Sequence, residues 1–399
     1  MLKGMPSLEL KTKIDFYRPS IMLGRGLSFN YDIPLLLKDG SILLYDNNSI
    51  SLLPKNLKYK ILFTFERYYH ENETSNIIRN IKQLKCGNIF CCNKQLYVFN
   101  DNLNNINPKL IHIPNNENLF DIIELKNKKL LGITLSSILE FKKIWNNDKK
   151  EEEYEINCTF KIPEKYIETP KTEKEKKSST YIQYIDLHEL YNNKLLIHSY
   201  STQLIYGTCG THPPDEFCRN KIFIFDLNNN EIIHSFEPFN GETNIIILDK
   251  YICVNYYNII EIYDPTNFKL LKIIKDHFSK DYMIKYDENI IIGLSGIENE
   301  NDIILYNLIN INDIRYIIFR GKYMKFIELK YNLCYPVRRR KNKSICLLNN
   351  NCIFIVCHRR AFIVKMKEKI NSIQFHPLEE IEYTKEEIEE MNSIEYVYF

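Results

Sequence analysis

The chain has 399 residues, with 53 Lys or Arg against 51 Asp or Glu, so its formal net charge is only +2. A balance this even excludes a global field for nucleic acid or a membrane surface and leaves room only for a local patch. Hydrophobic residues make up 44% and aromatics 13% of the chain, and a chain of this size buries roughly 75% of its unfolded surface without needing disulfides.

The abundance of Asn, Ile, Lys and Tyr is the bias of an AT-rich coding sequence and carries no functional reading. The 11 cysteines are odd in number, scattered and free of any CxxC spacing. Cys91, Cys253, Cys352 and Cys357 fall inside predicted strands, so buried thiols in a reducing compartment are expected. The opening MLKGMPSLELKTK has no apolar signal core, and no apolar run reaches the roughly 18 residues that span a bilayer. An intracellular, cytoplasmic protein is expected, with the nucleus as the alternative.

In chain order, residues 1–30 form an N-terminal segment. Leu8, Leu10, Ile14 and Phe16 give a broken period of two, which predicts a strand over Leu8–Phe16. Gly24-Arg25-Gly26 lacks the strand–turn–helix surroundings of a nucleotide loop. Residues 31–376 are then a succession of short apolar runs broken by Asn, Asp, Gly and Pro turns. The stretch Ile245–Ile274 shows the unit best, with runs at Ile245–Leu248, Tyr251–Val254, Ile259–Tyr263 and Leu270–Ile274. Four strands with tight antiparallel connections are the plan of one propeller blade.

Aligned on the first hairpin, the units read LKDGSILL from Leu37, LKCGNIFC from Leu84, LKNKKLLG from Leu125 and LYNNKLLI from Leu190. LDKYICVN from Leu248, YDENIIIG from Tyr286 and LNNNCIFI from Leu348 complete the set, at intervals of 47, 41, 65, 58, 38 and 62 residues. Asp39-Gly40 reads as a two-residue hairpin turn. The long intervals hold a charged insertion over 145–180 and a loop insertion over 206–220; Pro163–Thr180 is too polar to order itself and reads as a surface loop. The outer strand of the third unit is expected at Tyr154–Ile162, and Ser344–Phe375 reads as a complete four-strand unit, leaving the run at Phe326–Leu333 surplus. Residues 377–399 are an acidic tail, in which Thr384 and Glu387 make a capping box for a short helix and Ile394–Phe399 alternates like a strand. Either this last strand or Leu8–Phe16 would close the ring and remove its sheet edges.

Third strands often end in an aromatic followed by Asn or Asp: Phe99-Asn100, Phe225-Asp226, Tyr263-Asp264 and Tyr306-Asn307. In this the chain resembles the WD40 repeat family, whose units close that strand with Trp-Asp. The likeness spans about Asp32–Phe375 at the level of the repeat; Trp145, the only Trp, stands elsewhere, and no regular Gly-His pair opens the units. The implied fold is an all-β propeller, of seven four-stranded blades on this count.

Chemistry-bearing segments are few. Cys209, His212 and Cys218 have soft-ligand spacing C-x2-H-x5-C, and Asp215 or Glu216 would add an oxygen, which makes a weak metal candidate without a second ligand pair. Arg338, Arg339, Arg340, Lys341 and Lys343 put five positive charges into six residues, a candidate contact for an acidic protein partner, with His358-Arg359-Arg360 at the next turn. Phe319-Arg320-Gly321 resembles the Phe-Arg-Arg-Gly motif of phosphoinositide-binding propellers with one arginine missing, so phosphoinositide and nucleic acid are minor alternatives. His188 and His198 alternate in the fourth unit and read as packing or strand-surface residues. GxSxG, HExxH and P-loop motifs are absent. The expectation is a non-enzymatic interaction scaffold or adaptor with no cofactor. The alternative is a propeller enzyme, or a metal- or ligand-binding propeller, using the central channel or the Cys209–Cys218 insertion.

Overall fold

The computed structural model describes residues 8–15, 33–45, 49–53, 60–64, 78, 80–93, 95–99, 108–147, 151–163, 179–205, 215–237, 243–256, 259–275, 280–295, 303–319, 343–348, 352–357, 360–366 and 376–378. Their strands form seven antiparallel sheets, six of four strands and one of five. The sheets are blades 1 to 7 of a propeller in chain order. Their inner strands are Ile33–Leu36, Asn80–Gln83, Asp121–Glu124, Ser179–Leu190, Asn244–Ile247, Lys280–Lys285 and Lys343–Leu347. Inner strands lie side by side between blades 2 and 3, 3 and 4, 5 and 6, 6 and 7, and 7 and 1, and blades 1 and 2 and blades 4 and 5 share packed cores, so the ring is closed.

Closure comes from the N-terminus. Leu8–Asp15 is the outer strand of blade 7 and pairs antiparallel with Arg360–Met366 from Leu8↔Met366 to Asp15↔Arg360. Blade 7 is therefore not complete in itself as the sequence suggested, since its own segment supplies three strands. Pairing the two ends of the chain in one sheet leaves no unmatched blade. The fifth strand of blade 6 is His376–Pro377, which pairs with Arg315 and Tyr316, and the Leu378 N–H then donates to the Ile314 carbonyl at 3.1 Å. Phe326–Leu333, the capping box and Ile394–Phe399 lie outside the described residues.

The hairpin joining inner and second strands has three loop residues rather than two in blades 1, 2 and 3, while in blade 5 the Leu248 N–H donates to the Tyr251 carbonyl across two. In blade 1 the Leu37 N–H donates to the Ser41 carbonyl and the Gly40 N–H to the Leu37 carbonyl, both at 2.8 Å. Gly40 takes φ 84°, its counterpart Gly87 takes φ 99°, and at the same place in blade 3 Lys128 takes φ 70°. This is a type I turn followed by a left-handed residue, for which glycine is suited because it has no Cβ.

The core is divided among the blade interfaces. Leu37, Leu43 and Ile50 of blade 1 pack on Ile81, Ile89 and Phe99 of blade 2, and Leu84, Phe90 and Val98 of blade 2 pack on Ile122, Leu130 and Phe141 of blade 3. The same arrangement continues between blades 3 and 4, 4 and 5, and 5 and 6. Along an inner strand, side chains alternate between the two neighbours because the strand period is two. The hairpin leucine faces the following blade, and the residue three before it faces the preceding one.

This packing explains the aromatic-Asx pair. Phe99, Phe225, Tyr263 and Tyr306 are buried, each in the core shared with the preceding blade. The residue after the aromatic turns the chain. Asp226 Oδ1 accepts from the Asn228 N–H at 2.8 Å, Asp264 Oδ1 from the Thr266 N–H at 2.7 Å, and Asn307 Oδ1 from the Ile309 N–H at 3.0 Å. Such local bonds are the mechanism by which Asn and Asp start turns.

Two hairpins outrun their blades. In blade 3 the third and outer strands are Ser137–Asn146 and Glu151–Lys161, so the outer strand starts three residues before the predicted Tyr154 and takes in the acidic run. In blade 4 the second and third strands are Lys194–Ile205 and Asp215–Asp226, in unbroken register from Lys194↔Asp226 to Ile205↔Asp215. The segment read as a loop over 206–220 is thus strand from Asp215 onward.

Candidate functional site

The sequence-selected residues do not converge among the described ones. Cys209, His212, Arg338, Arg339, Arg340 and Lys341, together with His358, Arg359, Arg320 and Gly321, lie outside the described residues. Cys218 is placed opposite Thr202 in the third strand of blade 4, with Asp215 and Glu216 in the same strand, and Lys343 opens the inner strand of blade 7 opposite Cys357. Among the described residues no group of three or more His, Cys, Asp or Glu is arranged around a metal position, and no helix is long and apolar enough to cross a membrane.

What does converge is a polar level on the inner strands. Counting back four residues from the hairpin leucine gives Asn80, Asp121, Asp186 and Asn244 in blades 2 to 5. Two residues before the leucine stand Lys82 in blade 2 and His188 in blade 4. Because the repeat holds register around the ring, these positions fall at one height.

Asp121 is the hub. It is fully buried, and its Oδ1 accepts from Asn80 Nδ2 at 2.8 Å and from the Ile122 N–H at 2.7 Å. Its Oδ2 accepts from Lys82 Nζ at 2.6 Å and from the Leu187 N–H at 2.7 Å. One carboxylate therefore joins three blades and uses the free edge N–H of an inner strand. Burial pushes its carboxyl above the usual carboxylate range and Asp186 adds to this, while Lys82 and the Leu187 N–H pull it back.

The second half of the level sits between blades 4 and 5. His198 lies opposite Asp186 in the blade 4 hairpin and is 3% exposed, with Nδ1 3.7 Å from Asp186 Oδ2. Thr243 Oγ1 is 2.8 Å from His198 Nε2 and donates to Asn220 Oδ1 at 2.9 Å. His198 Nε2 is also 3.2 Å from Asn220 Oδ1, so the three side chains tie blade 4 to blade 5. The side chain of Asp186 is about half exposed (49%). Its burial works against ionisation, but His198, His188 and Lys82 outweigh that and hold its carboxyl below the usual range. His188 is pushed down to about 4 by burial, with Lys82 and His198 adding to the shift and Asp186 opposing it. It is neutral at pH 7.

Two further groups are unusual. Asn244 and Asn255 lie opposite each other in blade 5; Asn255 is fully buried with no protein partner for either amide atom, and Asn244 Oδ1 is likewise unpartnered. Glu261 is also buried, its pKa raised by that burial, and Tyr263 Oη donates to its Oε2 at 2.6 Å. The reading of His188 and His198 as packing residues missed this network. The signal was present in the repeat, where the column four places before each hairpin leucine changes from apolar to Asn or Asp in four successive units.

The opposite end of the ring is stapled at its turns. In blades 1, 2 and 3 the N–H after the hairpin leucine donates to a side chain just before the leucine of the next blade. Lys38 N–H donates to Gln83 Oε1 at 2.8 Å, Lys85 N–H to Glu124 Oε2 at 2.6 Å and Lys126 N–H to Glu189 Oε1 at 2.7 Å. Between blades 4 and 5 the turns meet through Tyr191 Oη and Asp249 Oδ1 at 2.8 Å, and the Asp249 N–H reaches Glu288 Oε2 at 3.0 Å.

No protein-family model and no curated protein matches the sequence. Solved structures do match by shape. The β-propeller domain of Myceliophteria thermophila Cps50 (Swd1) is 9% identical, with 90% of this chain and 99% of that one covered and a TM-score of 0.51. The Pan2 WD40 domain of Neurospora crassa is 10% identical, with 92% and 97% covered and a TM-score of 0.54. With the closed ring, the interface cores and the aromatic-Asx turns, these likenesses establish the fold of this chain as a divergent WD40-like β-propeller.

Proposed function

We propose that the protein is a non-enzymatic interaction scaffold or adaptor that holds protein partners on the faces of its ring. The observation that supports this most is that polar side chains of blades 2 to 5 are tied to one another across the blade boundaries. Asp121 takes four donors, and His198, Asn220 and Thr243 bond among themselves. A ring so cross-tied is rigid, and its variation is concentrated in hairpins and loops, the parts of a propeller free to carry specificity. The basic run Arg338–Lys343 belongs to this proposal as a contact for an acidic partner. So does an intracellular setting, in which thiols such as Cys91 and Cys253, both buried, stay reduced.

The test is affinity capture of the tagged full chain from its native cell at low and moderate salt, with stoichiometry read by mass spectrometry. A stoichiometric protein partner is the expected result, and its absence at both salt concentrations overturns the reading. One observation favours a second reading, a ligand held near the inner strands: Asp186 of blade 4 is half open, and in blade 5 Asn244 Oδ1 and both amide atoms of Asn255 have no partner among the described residues. Native mass spectrometry of the purified chain tests it, since a bound small molecule lost in Asp186→Asn would support a ligand and identical masses would remove it.

A further inference from the structure

We infer that the ribbon projecting from blade 3 is a docking edge for an extended, basic polypeptide segment, an inference that rests on the scaffold reading and gives it a surface. The second strand of this blade, Leu130–Ile133, meets the third strand over Ile138–Phe141. Beyond Phe141 the third and outer strands continue as a two-stranded ribbon, from Lys142↔Glu155 to Asn146↔Glu151. The outer strand is the last in its sheet, so among the described residues no further strand pairs with its outward edge.

The two edges of the ribbon differ in charge. Lys142 and Lys143 stand on the inward strand, while Glu151, Glu152, Glu153 and Glu155 occupy four of five positions on the outward one. The register puts Glu153 and Glu155 on one face and Tyr154, with Trp145, on the other. Trp145 is the only Trp of the chain and is 59% exposed. The ribbon is also braced. Tyr154 packs edge-on against Phe90 of blade 2 at 5.4 Å between ring centres, and Asn88 Nδ2 donates to its hydroxyl at 3.4 Å. A strand added to this edge gains backbone hydrogen bonds, meets the carboxylates of Glu153 and Glu155 on one face and finds an indole for a cationic side chain on the other. That chemistry selects a segment with alternating Lys or Arg and β-forming residues. The competing account is that the glutamates only keep the edge from pairing.

The probe is a synthetic nonapeptide alternating Lys or Arg with Val or Thr, titrated into the full chain while Trp145 emission is followed. A saturable change in emission is expected, weakening about tenfold or more when salt is raised to about 0.5 M. Calorimetry should show a similar loss in the triple variant Glu152→Gln, Glu153→Gln, Glu155→Gln, with its thermal midpoint confirming that it is folded. Alternate N-methylation of the peptide should abolish binding. Unchanged emission up to about 1 mM peptide, or equal binding of a Glu-substituted peptide, overturns the inference. So does a triple variant that self-associates while the native chain ignores the peptide, because the carboxylates are then only a shield. If the native chain and the triple variant capture the same stoichiometric partners from cells, the ribbon assignment fails and the scaffold reading stands; if neither captures any, the scaffold reading fails as well.

Discussion

The backbone N–H of Lys85 in blade 2 donates to Glu124 Oε2 in blade 3 at 2.6 Å, across a boundary where an apolar core lies beside the bonds from Asn80 and Lys82 to Asp121. The same bond, one blade further on, joins Lys126 to Glu189. Each satisfies a turn N–H that the hairpin itself leaves free, and each acceptor is charged, which strengthens it. Glu124→Ala should therefore cost about 1 kcal/mol in urea denaturation and Glu124→Gln only part of that, the cost held down by partial solvent access. Equal stabilities for the Ala, Gln and native chains would show that this bond does not help to join these blades.

Asp121 predicts a larger effect. Asp121→Ala removes the acceptor of four hydrogen bonds and strands Lys82, whose side chain is two-thirds withdrawn from water. Breaking a buried pair from one side costs roughly 3 kcal/mol or more. Adding Lys82→Met should recover part of the loss by removing the unpaired charge, so the two changes should couple in a double-mutant cycle. Additive free energies would show that the pair is not a unit.

Lys128 marks a place where sequence and backbone disagree. It stands at φ 70°, where blades 1 and 2 place glycine, and it is exposed. Lys128→Gly should raise stability by about 0.5–1 kcal/mol, since the left-handed conformation costs an L-residue about that and glycine nothing. Thermal unfolding would read this as a higher midpoint, and a lower one would show that the Lys128 side chain makes up for its backbone strain.

His188 sets an acid limb to stability. Its pKa falls from an ordinary 6.5 to about 4 in the fold, so the unfolded chain takes up its proton first. The contribution is complete above about pH 6.5 and is lost as the pH falls toward 4, by about 3 kcal/mol at most. Asp186, whose pKa is lowered, adds stability that disappears only at lower pH, as the medium approaches its own folded pKa. His188→Gln should flatten the stability profile between pH 6.5 and 4 and leave the loss below pH 4 in place. An unchanged slope in the upper window would assign it to another group.

The sequence by itself determined the repeat. Hairpin leucines, Asx turns and buried aromatics act within a few residues of one another, so their spacing already encodes strands, turns and the number of blades. It also named two candidates for the strand that closes the ring. The tertiary structure decided what depends on contacts between distant parts of the chain. Leu8–Asp15, and not the last unit's own segment, is the outer strand of blade 7, because pairing across the whole chain leaves no local mark. Asp121, Lys82 and Leu187 meet because three inner strands are brought to one height, over separations of 39 and 66 residues. His188 and His198 looked like surface or packing residues because a β-strand's period of two gives the face of a side chain but not its neighbour in the next blade. Trp145, read only as a tryptophan out of place in the repeat, is instead the exposed aromatic of a ribbon whose length is set by cross-strand pairing and not by any local motif.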